Sequence, residues 1–111
     1  MATDWMATLK EAGVLAKKTE ADVEKLLASD TLSVEHAVRL LSAVNQLSEE
    51  FDEVLVEIEA DEGIDEELLE AAFSIESLWS DLTLACLNRV RMLRGLPAIE
   101  LDGKEEDGGE A

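Results

Sequence analysis

The chain of 111 residues has one cysteine, one proline, no tyrosine and only two tryptophans and two phenylalanines. A single cysteine excludes an intrachain disulfide and fits a reducing compartment. The small number of aromatic residues disfavours a β-sheet protein. Alanine, leucine and glutamate are abundant instead, and these residues favour helices. The composition therefore predicts an all-α fold.

The chain also lacks any long apolar run. No stretch approaches the ~18 apolar residues that a membrane-spanning helix needs. The first residues, MATDWMATLKEAG, have no basic region followed by an apolar one, so they do not form a secretory signal. We therefore expect a soluble protein in the cytoplasm.

Positive charge is scarce, with 9 Lys and Arg against 27 Asp and Glu, a net charge of −18. Such a chain repels phosphate groups and anionic lipids, which disfavours direct binding to nucleic acid or membranes. Its expected partner is a basic protein, and we predict one that itself binds nucleic acid.

Two short helices are predicted in the first third of the chain. Thr3 or Asp4 caps the first, which Gly13 ends or weakens. Thr19 begins the sequence TEAD, which resembles a capping box and starts the second. We expect both helices to cover apolar surface elsewhere in the molecule.

Two long helices follow. Ser33 caps a third helix over Val34–Ala60, whose apolar residues recur at intervals of four and three from Ala37 to Ile58 and are flanked by Leu40, Leu47 and Val54. Asp65 caps a fourth helix that runs to about Arg94, and Gly63 is predicted as the C′ residue of the turn between them. The predicted fold is a long antiparallel helical hairpin with short N-terminal helices packed on it, a helical bundle. Residues 1–97 form the domain, and residues 98–111 form an acidic, disordered tail.

The fourth predicted helix carries a second line of apolar residues, away from its main stripe. A helix that is apolar on two sides packs between two partners. This line predicts self-association into a homodimer through four residues: Leu69, Phe73, Leu84 and Leu87.

The acids are concentrated in the hairpin. Between Leu40 and Asn88 there are fourteen acids and no Lys or Arg, whereas residues 1–39 hold seven acids and five bases, a net charge of −2. Over a length of ~30 Å this is about one charge per 2 Å, close to the ~1.7 Å per charge of duplex DNA. We predict that an acidic face binds the partner, with Val56 as a small apolar anchor within it. The residues of this face are Glu49, Asp52, Glu53, Val56, Glu57, Glu59, Asp61, Glu62, Glu66, Glu67 and Glu70. A solvated face that serves solubility or adaptation to high salt is the alternative.

Motifs for chemistry are missing. There is no Gly-rich phosphate loop, Ser/His/Asp set or Cys-x-x-Cys pair. The stretch DEGIDEE lacks the residue order of an EF-hand loop, and the single His36 cannot supply a di-iron site. Cys86 lies on the main apolar stripe, where a buried thiol is inert. We predict no catalytic residue, no metal site and no cofactor.

In size, helicity and charge the chain is similar to the nucleic-acid-mimic proteins of bacteriophages and mobile elements, which block restriction, CRISPR or other nucleic-acid-handling machines. The resemblance implies a non-catalytic inhibitor of the anti-defence type that acts in the host cytoplasm. The alternative is a structural hairpin subunit, adaptor or chaperone that self-associates through the fourth predicted helix.

Overall fold

The computed structural model describes residues 4–99. These residues form three helices: α1 (Trp5–Leu27), α2 (Val34–Ala60) and α3 (Glu66–Leu93). No strand occurs in this part of the chain. The all-helical prediction is confirmed, whereas the prediction of four helices is wrong.

The two short N-terminal helices are one continuous helix. Gly13 does not end α1, and Thr19 lies within it rather than capping a second helix. A glycine inside a helix costs only about 1 kcal/mol relative to alanine. Burial of Leu9, Ala16 and Val23 along one side of α1 outweighs that cost, because these residues continue a single apolar stripe through both predicted breaks.

The N-cap residue of helix α1 is Asp4, whose side chain accepts a hydrogen bond from the backbone N–H of Ala7 (3.1 Å). In α2 the Ser33 hydroxyl accepts from the N–H of His36 (3.1 Å), and in α3 the Asp65 carboxylate accepts from the N–H of Glu67 (3.1 Å). These side chains satisfy N–H groups that have no partner inside the helix.

The two glycines that flank α3 act differently. Gly95 has φ +79° and follows the C-cap residue of α3. Its N–H donates to the carbonyl of Met92 (3.0 Å), and the N–H of Leu96 donates to the carbonyl of Arg91 (2.7 Å). This is a Schellman motif. Gly63 does not have a positive φ, so its predicted role as a left-handed C′ residue is wrong. Helix α2 ends at Ala60, and the backbone of its C-cap residue, Asp61, is extended.

Helix α3 is the centre of the molecule. It packs against α2, to which the turn at residues 61–65 connects it in the antiparallel direction, and also against α1. Helix α1 makes far fewer contacts with α2, although the two are consecutive in the chain. Both sides of α3 are therefore covered within one chain. Its buried residues form the middle of the core: Ala72, Trp79, Leu82, Cys86 and Val90.

The end of the described chain lies against α3. The side-chain amide of Asn88 donates to the carbonyl of Ile99 (2.9 Å), and its oxygen accepts from the N–H of Ile99 (2.6 Å). Asn88 is nine residues after Trp79, about half a turn away at 3.6 residues per turn, so Ile99 lies on the side of α3 opposite Trp79. The predicted tail comprises residues 98–111, of which residues 100–111 lie outside the described residues.

Candidate functional site

The acids of α2 lie on the side of the helix that faces solvent. Phe51, Leu55 and Ile58 are buried on the other side. Six acids of the second half of α2 are exposed: Glu49, Glu50, Asp52, Glu53, Glu57 and Glu59. Val56, the predicted apolar anchor, is 64% exposed and lies among them. The 3.6-residue periodicity therefore separates apolar from anionic residues on this helix.

The turn and the first turns of α3 extend this surface. Glu62, Glu66, Glu67 and Glu70 are all exposed. The segment from Glu49 to the end of α2 is only about 17 Å long at the helical rise, and α3 begins beside its end. Twelve carboxylates between residues 49 and 70 are thus gathered at one end of the molecule.

Cations do not neutralise this surface. In the described range 4–99, ion pairs join Lys17 to Glu20 (3.9 Å) and Arg39 to Glu35 (2.9 Å), and neither involves residues 49–70. Glu49 accepts a hydrogen bond from the neutral side chain of Asn45 (3.2 Å). The negative field of the acids is therefore balanced by solvent ions and not by neighbouring side chains.

Asp61 differs from its neighbours. Its Oδ2 accepts a hydrogen bond from the indole Nε1 of Trp5 (2.7 Å), and its Oδ1 accepts from the backbone N–H of Gly63 (3.0 Å). Asp61 is one of the residues predicted to bind a partner, and its carboxylate also connects the start of α1 to the turn. No pattern in the sequence indicates this contact, because Trp5 lies 56 residues away.

Bases lie at the other end of the hairpin. Arg89, Arg91 and Arg94 belong to the end of α3, and Arg39 lies near the start of α2. Arg89 donates to the carbonyl of Ser29 in the connection between α1 and α2 (3.1 Å). The molecule is consequently polarised, with its acids near the 61–65 turn and these bases about the length of a helix away.

The four residues predicted for self-association do not form one exposed patch. Phe73 is 41% exposed. Leu69 packs against the core, and Leu84 and Leu87 are half-buried. Only one large apolar side chain of the four therefore offers an open surface.

A groove between α1 and α2 was not predicted from the sequence. Trp79 of α3 lies at its floor, and a hollow of about 150 Å³ opens above it. The residues that line the hollow come from all three helices: Ala12, Leu15, Leu47, Glu50, Phe51, Val54 and Trp79. The line of Leu40, Leu47 and Val54 beside the main stripe of α2 was the signal in the sequence that could have indicated this surface.

Groups that perform chemistry are not assembled in the described residues. No set of three or more His, Cys, Asp and Glu side chains between residues 4 and 99 is arranged to hold a metal ion. Cys86 is buried, and burial raises the pKa of its thiol to about 11, so the unreactive protonated form dominates at neutral pH. None of the helices α1 to α3 combines the length and the apolar character that crossing a bilayer requires.

Comparison of the chain with protein-family models, with curated proteins and with solved structures found no match.

Proposed function

We propose that this protein binds a basic, nucleic-acid-binding protein through the acidic face of its hairpin and blocks it as a nucleic-acid mimic. The observation that carries the proposal is the group of exposed carboxylates at residues 49–70, which has no ion-pair partner in the range 4–99. A groove that normally holds phosphates offers the complementary charge.

The distribution of charge favours recognition over general solubility. Residues 1–39 have a net charge of only −2, and the acids are concentrated where α2 meets α3. Acidity that served only solubility or high salt has no reason to leave residues 1–39 nearly balanced. Asp61 also has a structural role, because each of its two oxygens accepts one hydrogen bond, from Trp5 and from Gly63.

The test is affinity capture from the lysate of the native host, with three baits. The first bait is the unchanged chain, and the second carries Glu49→Lys, Asp52→Lys and Glu53→Lys. The third carries Glu105→Lys, Glu106→Lys and Asp107→Lys, which changes the net charge equally but leaves the hairpin intact. Helical circular dichroism should be the same for all three, because the substituted hairpin residues face solvent.

We expect the first and third baits to capture the same basic nucleic-acid-binding protein, which is lost with the second bait and at high salt. Capture of that protein by the second bait would contradict the proposal. Loss with the third bait alone would assign recognition to the tail.

Self-association is the alternative function, and the exposure of Phe73 is the observation that favours it. Stable interfaces bury roughly 800 Å² per partner. One exposed phenylalanine with half-buried neighbours supplies only part of such an area. Recovery of nothing but the chain itself in the capture experiment would favour this alternative.

A further inference from the structure

The arrangement of the helices leaves one position of a four-helix bundle empty. In such a bundle each helix contacts two neighbours and lies diagonally opposite the third. Helix α3 contacts both α1 and α2, whereas α1 and α2 make few contacts with each other, as diagonal helices do. The open position lies between α1 and α2, opposite α3.

The empty position is lined by apolar side chains along much of its length. The hollow above Trp79 is followed, toward the start of α2, by a second hollow of about 390 Å³ between Leu26, Leu32 and Leu40. On α2 the wall is formed by Leu40, Leu47 and Val54, at intervals of seven residues, or two helical turns. A wall with this regular spacing can contact a partner helix whose apolar side chains lie at positions i, i+3, i+4 and i+7.

A small molecule in either hollow would leave the other uncovered. The central hollow of about 150 Å³ is smaller than the ~300–1,000 Å³ of typical ligand pockets, whereas the second, of about 390 Å³, lies within that range. Leu15 and Leu26 on the wall of α1 are each 45% exposed and have no covering element among residues 4–99. An elongated apolar partner accounts for both hollows together.

Charge decides which partner fits. Glu50 lines the central hollow, and Glu57 lies seven residues further along the same side of α2. On α1, Glu11 and Asp22 share the side of Leu15 at intervals of four and seven residues. The bases on these rims are Lys18, Lys25 and Arg39, and the half of the groove nearer the 61–65 turn, with Glu11, Glu50 and Glu57, is negative.

Two other occupants are disfavoured. A second copy of the chain would bring another net charge of −18 against these acidic rims. Residues 100–111 have the sequence ELDGKEEDGGEA, with little to bury, and the last described residue before them, Ile99, lies on the opposite side of α3.

We propose that the groove between α1 and α2 binds an amphipathic helix of the partner protein, with apolar residues toward Trp79 and basic residues on its flanks. This inference rests on the proposed function for the basic character of the partner. It adds a second, apolar surface that is distinct from the acidic face.

The probe is a fluorescently labelled synthetic peptide of about 20 residues with Leu at heptad positions a and d and Lys on its flanks. A second peptide has the same composition in an order that destroys the apolar stripe. Fluorescence anisotropy measures the affinity of both. We expect the unchanged chain to bind the amphipathic peptide at least about tenfold more tightly than the scrambled one.

Matched variants locate the site. The double substitution Leu15→Gln and Leu26→Gln removes apolar surface from the groove and should abolish the preference between the peptides. Val14→Gln is the control, because Val14 is 66% exposed but does not line the groove. Thermal melts followed by circular dichroism check that both variants fold.

Equal affinity for the two peptides, or a preference that survives Leu15→Gln and Leu26→Gln, would overturn the groove proposal. Sedimentation that shows a dimer lost with the same double substitution would overturn it in favour of a second copy. The variant with Glu49→Lys, Asp52→Lys and Glu53→Lys tests the acidic face separately. If that variant still captures the basic protein from the lysate, the proposed function fails and the groove proposal does not, because Leu15 and Leu26 are unchanged in it.

Discussion

At the scale of single residues, Trp79 combines the largest buried side chain with an unsatisfied donor. It is 2% exposed, and its indole N–H has no acceptor among the described residues. Trp79→Ala should lower the free energy of unfolding by about 3–5 kcal/mol through lost burial and a cavity. Trp79→Phe should cost only about 1–2 kcal/mol, because Phe keeps a buried ring while it removes the unsatisfied donor, whose isolation costs about 1–3 kcal/mol. Urea denaturation measures both. A loss with Phe as large as that with Ala would contradict the packing of an aromatic ring at this core position.

Asp61 is the residue for which prediction from the sequence and the structure differ most. Asp61→Ala should cost about 1–3 kcal/mol, because the buried part of the Trp5 indole loses its acceptor and the turn loses a bond to Gly63. Glu62→Ala is the matched control and should change stability by less than about 0.5 kcal/mol, since Glu62 is exposed. Chemical denaturation tests the pair. A loss with Glu62→Ala as large as that with Asp61→Ala would contradict the assigned role.

At the scale of helices, the sequence predicted α2 and α3 to within a residue or two because their caps and apolar stripes agree. In α1 they conflict. Gly13 and the TEAD sequence are local signals for a break, whereas the stripe through Leu9, Ala16 and Val23 continues. Packing against α3 decides the outcome, and a single sequence does not contain that contact. The groove was missed for the same reason, since it depends on how far α1 lies from α2.

Gly13 within α1 and Gly95 just after the end of α3 allow a paired test of these helices. A Cβ on Gly13 would lie 3.8 Å from Ile75 Cδ1, an ordinary contact. Gly13→Ala should therefore stabilise the protein by about 0.5–1 kcal/mol through helix propensity. Gly95→Ala should destabilise it by about 1–2 kcal/mol, because φ is +79° there. Thermal or urea unfolding measures both signs. Destabilisation by Gly13→Ala would indicate that α1 is broken at this residue.

At the scale of the whole molecule, the acids that suit the hairpin to a basic partner also repel each other. Glu53 has Glu49 and Glu57 four residues away on either side, with Glu50 three residues before it, and all are exposed. Like charges at this spacing destabilise a helix by about 0.2–0.5 kcal/mol per pair, and opposite charges stabilise it by a similar amount. The surface thus gives up stability in the absence of a partner.

Glu53→Lys should consequently raise the free energy of unfolding by about 1–3 kcal/mol at ~10 mM salt, where the Debye length is ~30 Å, because three repulsive pairs become attractive. The gain should shrink toward zero near 1 M salt, where that length is ~3 Å. Urea denaturation at both salt concentrations measures it, with Glu105→Lys as the control of equal charge change. Stability of the unchanged protein should itself rise between the two salt concentrations, because screening weakens the repulsion. If the gain in stability from Glu53→Lys persists at high salt, it comes from helix propensity or packing and not from charge. The carboxylates of α2 then do not repel each other, and the proposed function loses the concentrated negative surface on which it depends.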